Sequence, residues 1–177
     1  MVDLIMKNNN SANNPKGWGT RAWGNMNIYQ RKGSISNAHV GKEFECLAKE
    51  KLQENGIHVE RNFKILIGIN NFKKEHAFDL GNKTDKIIVE CKSHKWTNGK
   101  NVTSVKLTVW NEAMYYFSLT PHDYRKIFFV LYDYSNKRKE SLAEYYIRIY
   151  YHLIPLDVEI FEYNESKSKY YKIRGKI

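Results

Sequence analysis

Acidic residues are scarce in this chain. Across 177 residues, 19 Asp and Glu stand against 29 Lys and Arg, for a net charge of +10 and a sequence pI of about 9.4. The shortage is also local. Residues 1–42 hold a single acid, Asp3, beside Lys7, Lys16, Arg21, Arg31, Lys32 and Lys42. No acid lies between Glu90 and Glu112, where Lys92, Lys95, Lys100 and Lys106 fall, and the closing stretch adds Lys167, Lys169, Lys172, Arg174 and Lys176. Positive charge placed in this way implies a polyanionic partner with a phosphate backbone.

Cysteine is nearly absent too. Cys46 and Cys91 are the only two, which excludes a disulfide framework or a zinc cluster. No apolar run approaches the roughly 18 residues of a membrane helix, and Val2–Met6 is too short for a signal-peptide core. The expectation is a reduced, soluble protein of the cytoplasm with no membrane partner. Gly41-Lys42 is followed by Glu43 rather than Ser or Thr, so no P-loop is present. Gly-x-Ser-x-Gly and His-Glu-x-x-His are missing as well.

What remains is enough for one domain with a core. Residues 1–36 form a basic arm rich in Asn and Gly, carrying Trp18 and Trp23. The low apolar content of the arm argues against a core of its own. The two tryptophans are read most simply as anchors to the main domain; base stacking, or packing on a second subunit, are the other readings. From about 37 to 55 runs a helix, capped by Ser36 or Asn37 and ended by Gly56. Its apolar face is Val40, Phe44, Leu47, Ala48 and Leu52, with Glu43 and Glu45 on opposite rims. Ile57–Ile69, His76–Leu80 and Lys86–Lys92 read as a three-strand meander. Thr103–Leu119 reads as a helix with Val105, Val109, Ala113 and Phe117 on one side, and Ile127–Tyr132 as a buried strand. Ser141–Leu153 then gives a helix built on Leu142, Tyr145, Tyr146, Ile149 and Leu153, and Asp157–Tyr163 an edge strand. The expected core is 37–163, an α/β fold with a mixed sheet of four to five strands, followed by a basic tail, 164–177.

Chemistry concentrates at the end of the third strand. Residues i and i+2 of a strand share a face, so Glu90 and Lys92 emerge together while Cys91 points to the opposite layer. The turn-like Gly81-Asn82-Lys83-Thr84-Asp85 lets the second and third strands pair as a hairpin, which brings Asp79 beside Glu90. Two carboxylates and an ammonium at one sheet edge suit a hard divalent cation with a water beside it. Both side chains leave a strand end, where truncation is expected to cost little packing. Glu-x-Lys recurs at Glu165-Ser166-Lys167, but with no apolar strand leading into it, and that copy reads as solvated surface. By alternation His76, three residues before Asp79, faces away from the site. His94, two residues after Lys92, shares its face if the strand continues.

Asp79, Glu90 and Lys92, preceded by the helix segment Gly41-Lys42-Glu43-Phe44-Glu45, resemble the motif of the PD-(D/E)XK nuclease superfamily. The similarity covers roughly residues 38 to 163, and Phe78 stands where the motif's proline would be. The resemblance implies a restriction-endonuclease-like core in the order α-β-β-β-α-β-α-β and an Mg²⁺-dependent endodeoxyribonuclease. It implies Mg²⁺, with Mn²⁺ substituting, held by Asp79, Glu90 and the main-chain carbonyl of Cys91, and Lys92 orienting the attacking water. It also selects Glu45, four residues after Gly41, for a second metal or its water. Lys95, Lys100, Lys106, Arg21, Trp18 and Trp23 are the candidate DNA contacts; Asn111 and Tyr115 are weaker ones. A homodimeric restriction-type enzyme cutting both strands of duplex DNA is the leading expectation. The alternatives are a Holliday-junction resolvase or repair nuclease, and a DNA-binding subunit that does not cut.

Overall fold

The structure, a computed structural model, describes residues 37–97 and 104–175. The arm 1–36, with Arg21, Trp18 and Trp23, lies outside the described residues, and so does Lys100.

Helix α1, Asn37–Glu54, opens the described chain. Gly56, at φ 77°, closes it by placing the Ile57 amide on the carbonyl of Leu52. Strands β1 (Glu60–Ile69), β2 (Phe72–Asn82) and β3 (Ile87–Lys92) follow as an antiparallel meander. Helix α2, Ser104–Ser118, crosses over to β4, Arg125–Leu131, which lies parallel to β3. A small ribbon, β5 (Tyr134–Ser135) with β6 (Glu140–Ser141), leads into helix α3, Leu142–Tyr150. Ser141 caps α3 in a reciprocal pair with Glu144, satisfying two free amides of the first turn. Strand β7, Val158–Asn164, pairs parallel to β4, and β8, Lys169–Arg174, pairs antiparallel to β7.

The result is an α/β fold with a mixed six-stranded sheet in the order β1-β2-β3-β4-β7-β8. One face buries Phe44, Ala48 and Leu52 of α1 against Val89, Cys91, Ile127 and Phe129. The other buries Leu107, Trp110, Met114 and Phe117 of α2 and Leu142 and Tyr146 of α3 against Phe78, Ile88, Phe128 and Ile160. Among the described residues no helix is long and apolar enough to cross a membrane.

Four sequence expectations need correction. The sheet has six strands, not four to five, because β8 occupies the segment assigned to a polar tail. Its Tyr170 and Ile173 pack on the core, while its lysines point outward. With β8 outside it, β7 is an interior strand rather than an edge. The buried stripe of α2 runs through Leu107 and Trp110; Val105 and Val109 are exposed, since the helix is rotated to put the larger indole under β4. In α3 the core positions are Leu142, Ala143 and Tyr146, and Ile149 and Leu153 face outward.

Burial of acids in β7 shapes the stability profile. Glu159 is held by Arg125 and Lys172. Glu162 is buried with Oε1 lacking any hydrogen-bond partner, and burial pushes its carboxyl up to about 7. An unfolded chain would ionise Glu162 near 4.5, so between about pH 4.5 and 7 the folded state keeps a proton that the unfolded state has lost. This group's contribution to stability therefore falls as pH rises through that window. Glu162→Gln, neutral at every pH, is expected to raise stability at pH 8 by on the order of 1–3 kcal/mol and change it little at pH 4. Urea unfolding at the two pH values checks this, and an equal effect at both would contradict the assignment.

Candidate active site

The β2–β3 ladder runs Asn82↔Ile87, Gly81↔Ile88, Leu80↔Val89 and then stops. Asp79 and Glu90 are the next residues on their strands. Beyond this point the Cys91 amide, deprived of a backbone acceptor on β2, donates to Oδ2 of Asp79 at 2.7 Å. A strand residue directs its N–H and C=O to the same edge. The Cys91 carbonyl is therefore aimed at the edge where Asp79 lies, while the thiol is buried on the α1 side.

Lys92 closes the constellation. Its Nζ donates to Glu90 Oε2 at 2.6 Å and lies 3.5 Å from Asp79 Oδ2. The sequence expectation that truncating these side chains costs little packing fails, because the side chains of Glu90 and Lys92 are only 9% and 16% exposed. Removing either one strands a buried charge, which typically costs about 3–5 kcal/mol.

Charge at the site is out of balance. Burial and then the Glu90 charge push the Asp79 carboxyl up to about 6, against Lys92 and the Cys91 amide, which pull it down. Burial alone would also raise Glu90, but His76 and Lys92 outweigh it and hold that carboxyl below its usual value. Burial works to lower the Lys92 ammonium, and the two carboxylates override it, so Lys92 is firmly charged. One ammonium serves two carboxylates. Oδ1 of Asp79 and Oε1 of Glu90 have no hydrogen bond among the described residues. Hard oxygen donors under mutual repulsion fit a small divalent cation such as Mg²⁺ or Mn²⁺, which keeps several waters and needs few protein ligands. Among the described residues no three His, Cys, Asp or Glu side chains converge as a full cage. The fit therefore rests on Asp79, Glu90 and the Cys91 carbonyl, completed by water.

Glu45 is near but differently engaged. It lines a cavity of about 400 Å³ together with Lys42, Arg61, Asn62 and Asp79, so it opens onto the Asp79 side of the site. Its Oε2 accepts from Arg61 at 2.9 Å. The segment after β3 is pinned from three directions. Trp110 donates its indole N–H to His94 Nδ1 at 2.9 Å, Lys106 Nζ donates to the Lys95 carbonyl at 3.1 Å, and the Trp96 amide donates to Asp133. Lys95 itself pairs with Glu165 at 3.1 Å, on the surface. Asn111 accepts from the Tyr146 hydroxyl and so braces α2 on α3.

His76 and Arg61 are the residues the sequence reading missed. His76 was expected to face away, yet its Nε2 is 3.9 Å from Glu90 Oε1, beyond hydrogen-bond range but in direct contact. The cause is a break in alternation. Phe78 packs with the α2 face and Leu80 with the α1 face although they are two residues apart, and Asn62, next to this point on β1, has φ 55°. No pattern in the sequence announces that break. Arg61 carries no motif either, and only its pairing with Glu45 reveals it.

A scan against protein-family models, a search of curated proteins and a search of solved structures each return no match. The reading of this site rests on its geometry and on its resemblance to a known motif.

The Asp79–Cys91 bond yields a direct test. Asp79→Ala leaves a part-buried amide without an acceptor and is expected to cost about 1–3 kcal/mol. Asp79→Asn keeps an acceptor oxygen and removes a charge that opposes Glu90, so the metal-free variant should match or exceed the wild type. Urea midpoints at pH 8 separate the two, and equal losses would show that the bond does not hold β2 to β3.

Proposed function

We propose that the protein is a divalent-metal-dependent endodeoxyribonuclease of the PD-(D/E)XK type, with a restriction-endonuclease-like core and double-stranded DNA as its substrate. The observation that carries this reading is the meeting of Asp79, Glu90 and Lys92 at the point where β2 leaves β3. The order of the main elements, α1-β1-β2-β3-α2-β4-α3-β7, and the net charge of +10 support it as well.

In this reading Asp79, Glu90 and the Cys91 carbonyl would hold Mg²⁺ or Mn²⁺, and Glu45 would hold a second metal or one of its waters. The bound cation supplies Lewis-acid polarisation of the scissile phosphate and a water made more acidic by coordination. The protein's own residues do the rest. Lys92, charged and fixed against Glu90, orients the attacking water and offsets negative charge developing on the phosphate. Asp79, held by the Cys91 amide, keeps its free oxygen aimed at the cleft. The lysines following β3 bind the phosphate backbone. One site per chain cuts one strand, so cleavage of a duplex calls for a homodimer.

Neutral near-isosteres test the chemistry without collapsing the site. Glu90→Gln and Lys92→Met are expected to lower plasmid cleavage in Mg²⁺ by at least about 10²-fold while the protein stays folded by circular dichroism. Mn²⁺ binding, read by electron paramagnetic resonance, should weaken in Glu90→Gln and persist in Lys92→Met. Wild-type cleavage rates in either variant would refute the assignment. Binding should also respond to salt. With about six phosphate contacts, affinity is expected to fall roughly 10³-fold between about 50 and 200 mM salt. A flat response in a filter-binding titration would remove the phosphate backbone as the partner.

A further inference from the structure

Behind Glu90, on the α2 side of the sheet, aromatic rings run outward from the site. His76 touches Glu90 at 3.9 Å and stacks on Tyr116 with ring centroids 3.9 Å apart. Tyr115 follows at 6.3 Å from Tyr116. These rings, with Ile69, Phe72 and Lys74, line an open cavity of about 410 Å³. Phe72 is 87% exposed and Tyr115 55%, although both are large rings that folding ordinarily covers.

We infer that this cavity receives one unstacked nucleobase of the DNA strand whose phosphate lies at Asp79 and Glu90. The inference rests on the nuclease reading and extends it to the kind of DNA that is acted on. Three features support a base as the occupant. His76 lines the cavity and touches Glu90 at 3.9 Å, so the inner end of the cavity borders the carboxylate cluster. Ring faces accept any base by stacking, which needs no matching of hydrogen bonds. The charge at the mouth also suits a nucleotide: Glu75 is neutralised by Lys64 at 2.9 Å, while Lys74 has no ion-pair partner among the described residues and is available to the flanking phosphate. A second aromatic protein surface would find that lysine a desolvation cost rather than a contact.

A base can enter only if it leaves its stack. That costs least where pairing is already broken, at a mismatch, a bulge, a branch or a frayed end. Within double-stranded DNA the preferred site of action is therefore one with an unpaired nucleotide beside the cut.

The test compares a fully paired duplex with the same duplex carrying one unpaired 2-aminopurine, bound by the full-length protein in Ca²⁺ to hold off cleavage. Wild type is expected to bind the unpaired form roughly 5- to 100-fold more tightly, the range that one stacked base supplies, and to change the probe's fluorescence. Phe72→Ala with Tyr115→Ala should abolish both the preference and the fluorescence change. Tyr115→Phe, which keeps the ring, should retain them. Both truncated rings are exposed, so the fold is expected to survive, and circular dichroism verifies it. Equal affinity of the wild type for the two duplexes, or a preference unaltered in the double variant, overturns the inference. Cleavage in Mg²⁺ is read separately. Cutting without preference removes the base cavity alone, whereas preference without cutting supports the cavity and removes the nuclease reading.

Discussion

Everything at this site depends on one hydrogen bond, the Cys91 amide to the Asp79 carboxylate. Two strands that part must leave amides and carbonyls unpaired along the opening, and buried ones are costly. Here a side chain of β2 takes the place of the missing backbone acceptor. The cleft can therefore open between β2 and β3 without an orphaned amide. The same bond holds one carboxylate oxygen, Oδ2, and leaves the second without a hydrogen bond among the described residues. Because Asp79 both accepts from the Cys91 amide and carries a charge beside Glu90, the pair of Ala and Asn substitutions is more informative than either alone.

The second constraint is electrostatic. A protein selected for stability alone would match the buried carboxylates with cations one for one. Instead Lys92 serves both Asp79 and Glu90, and Asp79 is left with a raised pKa. Elsewhere in the same sheet the matching is closer: Lys126, only 1% exposed, is paired with Asp157, and Glu159 has two cations. The imbalance is thus confined, among the described residues of the sheet, to the parting of β2 and β3 and to Glu162, which has no cation beside it. A cation bound between Asp79 and Glu90 would relieve their mutual repulsion.

Much of this was legible in the sequence, and the failures have identifiable causes. The two-residue period of strands was enough to put Glu90 and Lys92 on one face, and Gly81–Asp85 was enough to turn β2 back beside β3. The apolar stripe of α1 was readable because Phe44, Ala48 and Leu52 keep helical spacing without competitors. In α2 there were two overlapping stripes, and the one with Trp110 won on buried area. Strand β8 was hidden by its lysines, whose long stems lie over the sheet while the charges reach solvent. Strand β7 misled because its alternation read as that of an edge strand, whereas β8 pairs along its outer side. His76 was lost to a local break in alternation, a backbone event that residue types do not encode.

That break has a consequence for how the two faces of the sheet share the site. Because alternation shifts between Phe78 and Leu80, β2 presents His76 to the α2 side and Asp79 to the cleft within four residues. A regular strand would have sent those two side chains to opposite layers with no common neighbour. Glu90 is what joins them, touching Lys92 through one oxygen and His76 with the other. Asp79 lines the cavity of Glu45, Arg61 and Lys42, and His76, which touches Glu90, lines the aromatic cavity with Lys74. Neither lysine is paired among the described residues, in a domain where most surface acids are. The irregularity in β2 is what brings one charged and one aromatic flank to the same pair of acids.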